Sequence, residues 1–181
     1  MRCATRSGAI KVSSVLLVAG LAAGGLCSGT AAAGEAARRL PAAPCASNQV
    51  VADSAQRTGA ARVLVTVTNK GTKSCVLNGF PTVALAGQGS PDRNKPLQVI
   101  RRGTAGPVRL APGAQAWTWL SFTPVLGEGE GYCASGADPF VAPSVVVGVG
   151  GGKYQLGPDD GGEFALCGNS VRATAFSAAG S

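Results

Sequence analysis

From residue 45 onward the apolar positions of this chain fall in short runs of period two. Residues 62–69 (RVLVTVTN) put Val63, Val65 and Val67 on one face and Leu64, Thr66 and Thr68 on the other, the pattern of a strand with two unlike faces. Asn69-Lys70-Gly71 is a turn signal that stops it. A second strand starts at 74–77, bends at Gly79-Phe80-Pro81 and resumes at 82–85, and residues 87–96 read as a polar loop. Short strands follow at 97–101 and 108–110. Ala111-Pro112-Gly113 has Pro and Gly in the order of a tight turn and feeds a long strand at 114–122. Residues 127–138, rich in Gly and acid, form a loop around Cys133, with room for one helical turn near 123–130. Strands at 144–149, 153–156, 163–167 and 171–176 complete the set. Pro and Gly recur too often for a long helix, because each removes or weakens helical backbone pairing. Short strands at this spacing predict an all-β, immunoglobulin-like antiparallel β-sandwich of two sheets.

The first part of the chain follows another logic. Residues 1–11 carry Arg2, Arg6 and Lys11 with no acid, residues 12–26 are an uncharged, largely apolar run, and 28–34 are small. That order is a bacterial secretory signal peptide spanning 1–33, with cleavage after Ala33 and Ala31 three positions back. Residues 34–44 are an Ala- and Pro-rich spacer, 45–176 the sandwich domain, and 177–181 a flexible tail. A lipid anchor at Cys27 is the minor alternative, disfavoured because Leu26 stands where a small residue is needed. The apolar run is too short for an uncleaved anchor, so no stable membrane insertion is expected after cleavage. The chain reads as secreted.

Export changes the meaning of the cysteines. Two of the six, Cys3 and Cys27, leave with the signal. Cys45, Cys75, Cys133 and Cys167 remain, an even set that outside the cytosol reads as two disulfides. Four cysteines allow three pairings. Cys45–Cys75 with Cys133–Cys167, which tie sequence-near segments at each end of the domain, is favoured.

Charge and composition exclude more than they select. Three of the sixteen basic residues lie in the signal and none of the nine acids does, so the net charge falls from +7 to +4. The rest are scattered, with Arg38-Arg39 and Arg101-Arg102 the adjacent pairs, and no basic stripe calls for nucleic acid. The chain has no histidine. That excludes Ser-His-Asp and Cys-His catalysis and His-ligated zinc within it. Glu128 and Glu130, and the acidic turn Asp159-Asp160-Gly161-Gly162-Glu163, lie on Gly-flanked loops and read as solvated. Gly150-Gly151-Gly152-Lys153 lacks phosphate-loop spacing. No catalytic residue, cofactor or metal is expected.

Two segments resemble a known family. Residues 68–85 (TNKGTKSCVLNGFPTVAL) are similar to its strand, turn and Cys-x-x-x-Gly-aromatic-Pro sequence. Residues 108–122 (VRLAPGAQAWTWLSF) are similar to its Leu-Ala-Pro-Gly turn and following strand. With cysteines at 45, 133 and 167, the last followed by Gly168, the domain resembles the actinobacterial domain of unknown function 4232. The resemblance implies an exported or lipid-anchored β-sandwich without an established activity, and carries over no site residue.

In the long strand, Ala116, Thr118, Leu120 and Phe122 match the family's core-facing positions. Trp117 and Trp119 then fall on the opposite face with Gln115 and Ser121, about 6.8 Å apart along the strand. They are the candidate ligand surface, an aromatic platform for sugars or a protein partner. The chain is therefore expected to be a non-enzymatic extracellular binding or structural module at or near the cell wall. Its partner would be an extracellular protein or a cell-wall glycan. The alternative is a secreted protease inhibitor presenting a disulfide-braced loop, 127–138 or 87–94, with Arg93 as the presented side chain.

Overall fold

The alternating Val, Thr and Ala positions build strands throughout. In chain order these are β1 (Val50–Arg57), β2 (Arg62–Asn69), β3 (Cys75–Leu77), β4 (Thr82–Ala86), β5 (Asn94–Pro96), β6 (Gln98–Arg102) and β7 (Val108–Leu110). They continue with β8 (Gln115–Phe122), β9 (Phe140–Ala142), β10 (Val145–Val149), β11 (Gly152–Leu156), β12 (Phe164–Leu166), β13 (Ser170–Thr174) and β14 (Ser177–Ala178). The computed structural model describes residues 42–59, 61–127 and 131–178, all within one compact unit, Leu40–Ser181. The signal read at 1–33, most of the spacer, and Glu128 and Glu130 lie outside the described residues.

The protein is all-β, with no helix among the described residues. Where a helical turn had room, near 123–130, Leu126 instead pairs with Tyr132 in an isolated antiparallel bridge. The largest sheet has the order β1-β2-β8-β13-β6, with β14 pairing β8 beyond the end of β13. A four-stranded sheet runs β11-β10-β4-β5, and β12-β9 and β3-β7 form two small ones.

Several expectations change. The bent strand 74–85 is two strands: the bend at Gly79 (φ 86°) carries the chain from β3, paired with β7, to β4 in the four-stranded sheet. Pairing is not wholly antiparallel either, because β6 joins β13 in parallel. A parallel neighbour needs a long connection, and the chain between these strands supplies one. The polar segment 87–96 contains β5, paired with β4. Ser177 and Ala178, read as tail, pair with Trp117 and Ala116.

Inward residues of both larger sheets meet in one hydrophobic cluster. Val63, Val65 and Val67 of β2 join Leu120 of β8, and Val83 of β4 and Val147 of β10 complete the contact from the other sheet. Both disulfides form as favoured, Cys45–Cys75 and Cys133–Cys167, and all four cysteines are buried. The Gly run at 150–152 is the β10–β11 hairpin. Val149 pairs with Gly152, and Gly150 and Gly151 between them have φ of 57° and 79°. Two consecutive positive φ values are what a two-residue hairpin turn of the right twist requires.

Candidate functional site

Strand β8 has neighbours on both edges of its sheet, so its two faces define its chemistry. Ala116, Thr118, Leu120 and Phe122 are buried, and Trp117, Trp119 and Ser121 alternate with them on the face turned away from the core. Thr118, the polar member of the inner row, is satisfied: its Oγ1 donates to Thr174 O at 2.7 Å. Strand β13 leaves β8 after Ala173. There Thr174 Oγ1 accepts from Trp119 N–H at 2.9 Å, and β14 resumes the pairing opposite Trp117. The backbone beneath both indoles is thereby held on both edges.

Both indoles are half-buried. Their centroids lie 6.3 Å apart with planes at 75°, an edge-to-face pair. They make a corner, not a flat platform. Trp117 is flanked across the sheet by Thr66 and Ser177, both shorter than an indole. Over Trp119 lies Arg62, its guanidinium carbon 4.0 Å from the ring centroid, a cation–π contact. None of the Arg62 side-chain N–H groups donates to a described residue.

Strand register gathers more positive charge on this face. Arg62 of β2 and Arg172 of β13 both stand opposite Ser121, one on each side. Arg172 pairs in turn with Ile100 of β6, and Arg102 follows two residues on, opposite Thr174. All three arginines are exposed. The acid on this face, Asp53, accepts from Thr68 Oγ1 at 2.8 Å and lies 3.7 Å from Lys70 Nζ. Thr68 is six residues from Arg62 along β2, roughly 20 Å. One end of the face is neutralised; at the end beside Trp119 no described carboxylate forms an ion pair with Arg62, Arg102 or Arg172, and the acidic turn at Asp159-Asp160 lies along the β1 edge on Arg57, the register partner of Val63.

The other candidate residues are placed elsewhere. The acidic turn folds around Arg57: Asp159 Oδ1 accepts from Arg57 N at 2.8 Å, and Arg57 Nη2 donates to Glu163 O at 2.7 Å. Arg57 Nε lies 2.8 Å from Asp160 Oδ2, an ion pair whose N–H is not aligned as a hydrogen bond. These carboxylates brace a turn. Arg93 is exposed in a turn closed by its own N–H on Gly89 O at 2.9 Å. An open cleft of about 370 Å³ between 85–95 and 140–142 has no carboxylate, hydroxyl or thiol side chain in its walls. Among the described residues no three potential ligands converge on a metal site.

Residues 45–177 match the family described as Domain of unknown function (DUF4232). The chain belongs to this family. No curated protein and no solved structure matches it. The match spans both disulfides and the whole of β8, so in this DUF4232 domain the Trp pair sits inside the family's own framework. Sequence reasoning located the Trp pair on this face but missed Arg62 and Arg172. They are 110 positions apart, and only the registers of β2 and β13 against β8 bring them to one row.

Proposed function

We propose that this DUF4232 protein is exported through residues 1–33, folds as an immunoglobulin-like sandwich and works as a non-enzymatic binding module at or near the cell wall. Its ligand surface is the corner formed by Trp117 and Trp119. The observation that carries the reading is the alternation along β8: the small and aliphatic positions are buried, while both tryptophans face away from the core. A central strand with no binding task gains little from two large aromatics on its outer face. The core shared by the two larger sheets supports the sandwich, and two buried disulfides fit an oxidising compartment. For the protease-inhibitor reading, the turn at 87–93, which carries Arg93, closes on itself instead of presenting an extended segment, and residues 128–130 of the other loop, 127–138, lie outside the described residues.

The test is retention of the purified, disulfide-bonded protein on cell-wall fractions and on culture proteins, beside a Trp117→Ala/Trp119→Ala double variant. The wall fraction should retain the protein and release the variant. Equal retention of both removes the tryptophans from the binding surface. Failure of the parent protein to bind any fraction overturns the wall-binding reading.

A further inference from the structure

We infer that this face takes a carboxylate-bearing polysaccharide, with Arg62 and Arg172 seating the carboxylate beside Ser121 while the sugar ring packs against the part of the Trp117–Trp119 corner that Arg62 leaves uncovered. The inference rests on the reading of the Trp corner as a ligand surface and adds the chemistry of the ligand.

Four observations point the same way. First, Arg62 and Arg172 flank the short side chain of Ser121 from adjacent strands, so their Cα atoms are about 10 Å apart with low ground between them. Two like charges at that separation are relieved by an anion placed in the gap. Second, neither arginine is neutralised: no described carboxylate forms an ion pair with Arg62, Arg102 or Arg172, and Asp53 is engaged with Lys70 at the opposite end of the face. Third, the Arg62 guanidinium is already held over Trp119. Stacking fixes its plane and leaves its N–H edge free to donate sideways, the geometry that suits a planar carboxylate. Fourth, Ser121 and Trp119 are two residues apart, roughly 6.8 Å. A uronic acid carries its carboxylate directly on the pyranose ring, so ring and anion together span that step. A phosphodiester-linked polyol has no ring to offer the indoles, and an acidic peptide lacks a flat apolar sugar face.

Charge complementarity also argues against the chain's own leading segment as occupant, because residues 34–44 carry Arg38 and Arg39 against one acid, Glu35. A polymer suits a site exposed to solvent. Single ion pairs on a surface are screened and weak, and repeated units raise the effective concentration of the next contact.

The test is a titration of the full chain, both disulfides formed, followed by tryptophan fluorescence and calorimetry. The probes are oligogalacturonate, its methyl ester and poly-L-glutamate. Oligogalacturonate should bind, change the indole emission and weaken as salt rises. Arg172→Gln, which removes no stacking contact, and the Arg62→Gln/Arg172→Gln pair should weaken it progressively, the pair by about tenfold or more. Arg172→Lys should restore only part, since it keeps the charge and loses the planar fork. Unchanged thermal midpoints show that these variants fold. Equal binding of the methyl ester, equal binding of poly-L-glutamate, or no effect of the arginine variants overturns the inference. So does absence of oligogalacturonate binding. If in those cases the Trp117→Ala/Trp119→Ala variant is still released from wall fractions, the Trp corner stands as a binding surface and only its anionic ligand is lost.

Discussion

Asn69 Nδ2 donates to Leu110 O at 3.0 Å, joining the end of β2 to the end of β7 across 41 residues of sequence. The same amide donates to Lys73 O at 3.0 Å and accepts from Gly71 N at 2.9 Å, and its backbone N–H and C=O bond to Ala114 and Gly113. The residue is fully buried. What reads in sequence as a turn former is thus the tie between two turns and the strand that carries the tryptophans. Asn69→Ala takes the side-chain donor from Leu110 O and Lys73 O and leaves Gly71 N with Gln49 O alone. It should destabilise the domain by about 3 kcal/mol, measured by denaturant unfolding. A loss under about 0.5 kcal/mol, the level of an ordinary surface change, contradicts this role.

The two disulfides close loops of similar length, with separations of 30 and 34 residues. On a chain-entropy estimate each contributes about 3.5 kcal/mol. Against a typical net stability of about 5–15 kcal/mol, neither is dispensable in a core of mostly Val and Ala. Cys45→Ala/Cys75→Ala and Cys133→Ala/Cys167→Ala should each lower the unfolding free energy by a comparable amount, and reduction of both bridges should unfold the protein near body temperature. A reduced protein with an unchanged midpoint is the contrary result.

The parts of the fold legible in sequence are those where one face is buried and the alternation is unbroken. In β2 the extent and the two unlike faces follow from period two, and in β8 the same alternation, matched to the family's core-facing positions, gives the inward face. Strand β1 escapes the same reasoning because its pairing with β2 shifts between Ala52 and Ser54. A bulge there puts one extra residue into the alternation, and Val50, Ala52 and Ala55 no longer share a period. Strands β5 (NKP) and β14 (SA) are too short and polar to signal themselves, and they exist because a neighbour's edge needs pairing. The candidate site divides the same way. The outward turn of the tryptophans is a property of one strand, whereas the row Arg62–Ser121–Arg172 is a property of three.

Gly150 offers a sharp test of the hairpin between β10 and β11. At φ +57° an added Cβ would lie 2.8 Å from Cys45 O and 2.9 Å from Val50 Cγ2, both fixed by the disulfide and by β1. At its neighbour Gly151, φ +79°, nothing lies within 4 Å. Gly151→Ala should therefore cost only the conformational penalty of about 1 kcal/mol, and Gly150→Ala clearly more. Thermal unfolding of the two variants gives the comparison, and equal losses at both positions refute the close approach.

Tyr154 links the hairpin to β1 in a way that depends on pH. Its hydroxyl donates to Ser47 O at 2.9 Å and to Val50 O, sharing one proton between two carbonyls. Burial pushes the phenol's pKa above its ordinary value of 10.0. The folded protein therefore holds this proton more tightly than the unfolded chain does. The stabilising contribution is complete below about pH 10, where both states are protonated, and it is lost as pH rises through the raised folded value. Tyr154→Phe removes the bond and the titration together. At about pH 8 the variant should be less stable by about 1 kcal/mol. Above about pH 10 the gap should close, because only the parent protein then pays for keeping or losing the proton. Unfolding curves across that range measure the gap directly, and a difference that stays constant with pH removes Tyr154 from the alkaline response.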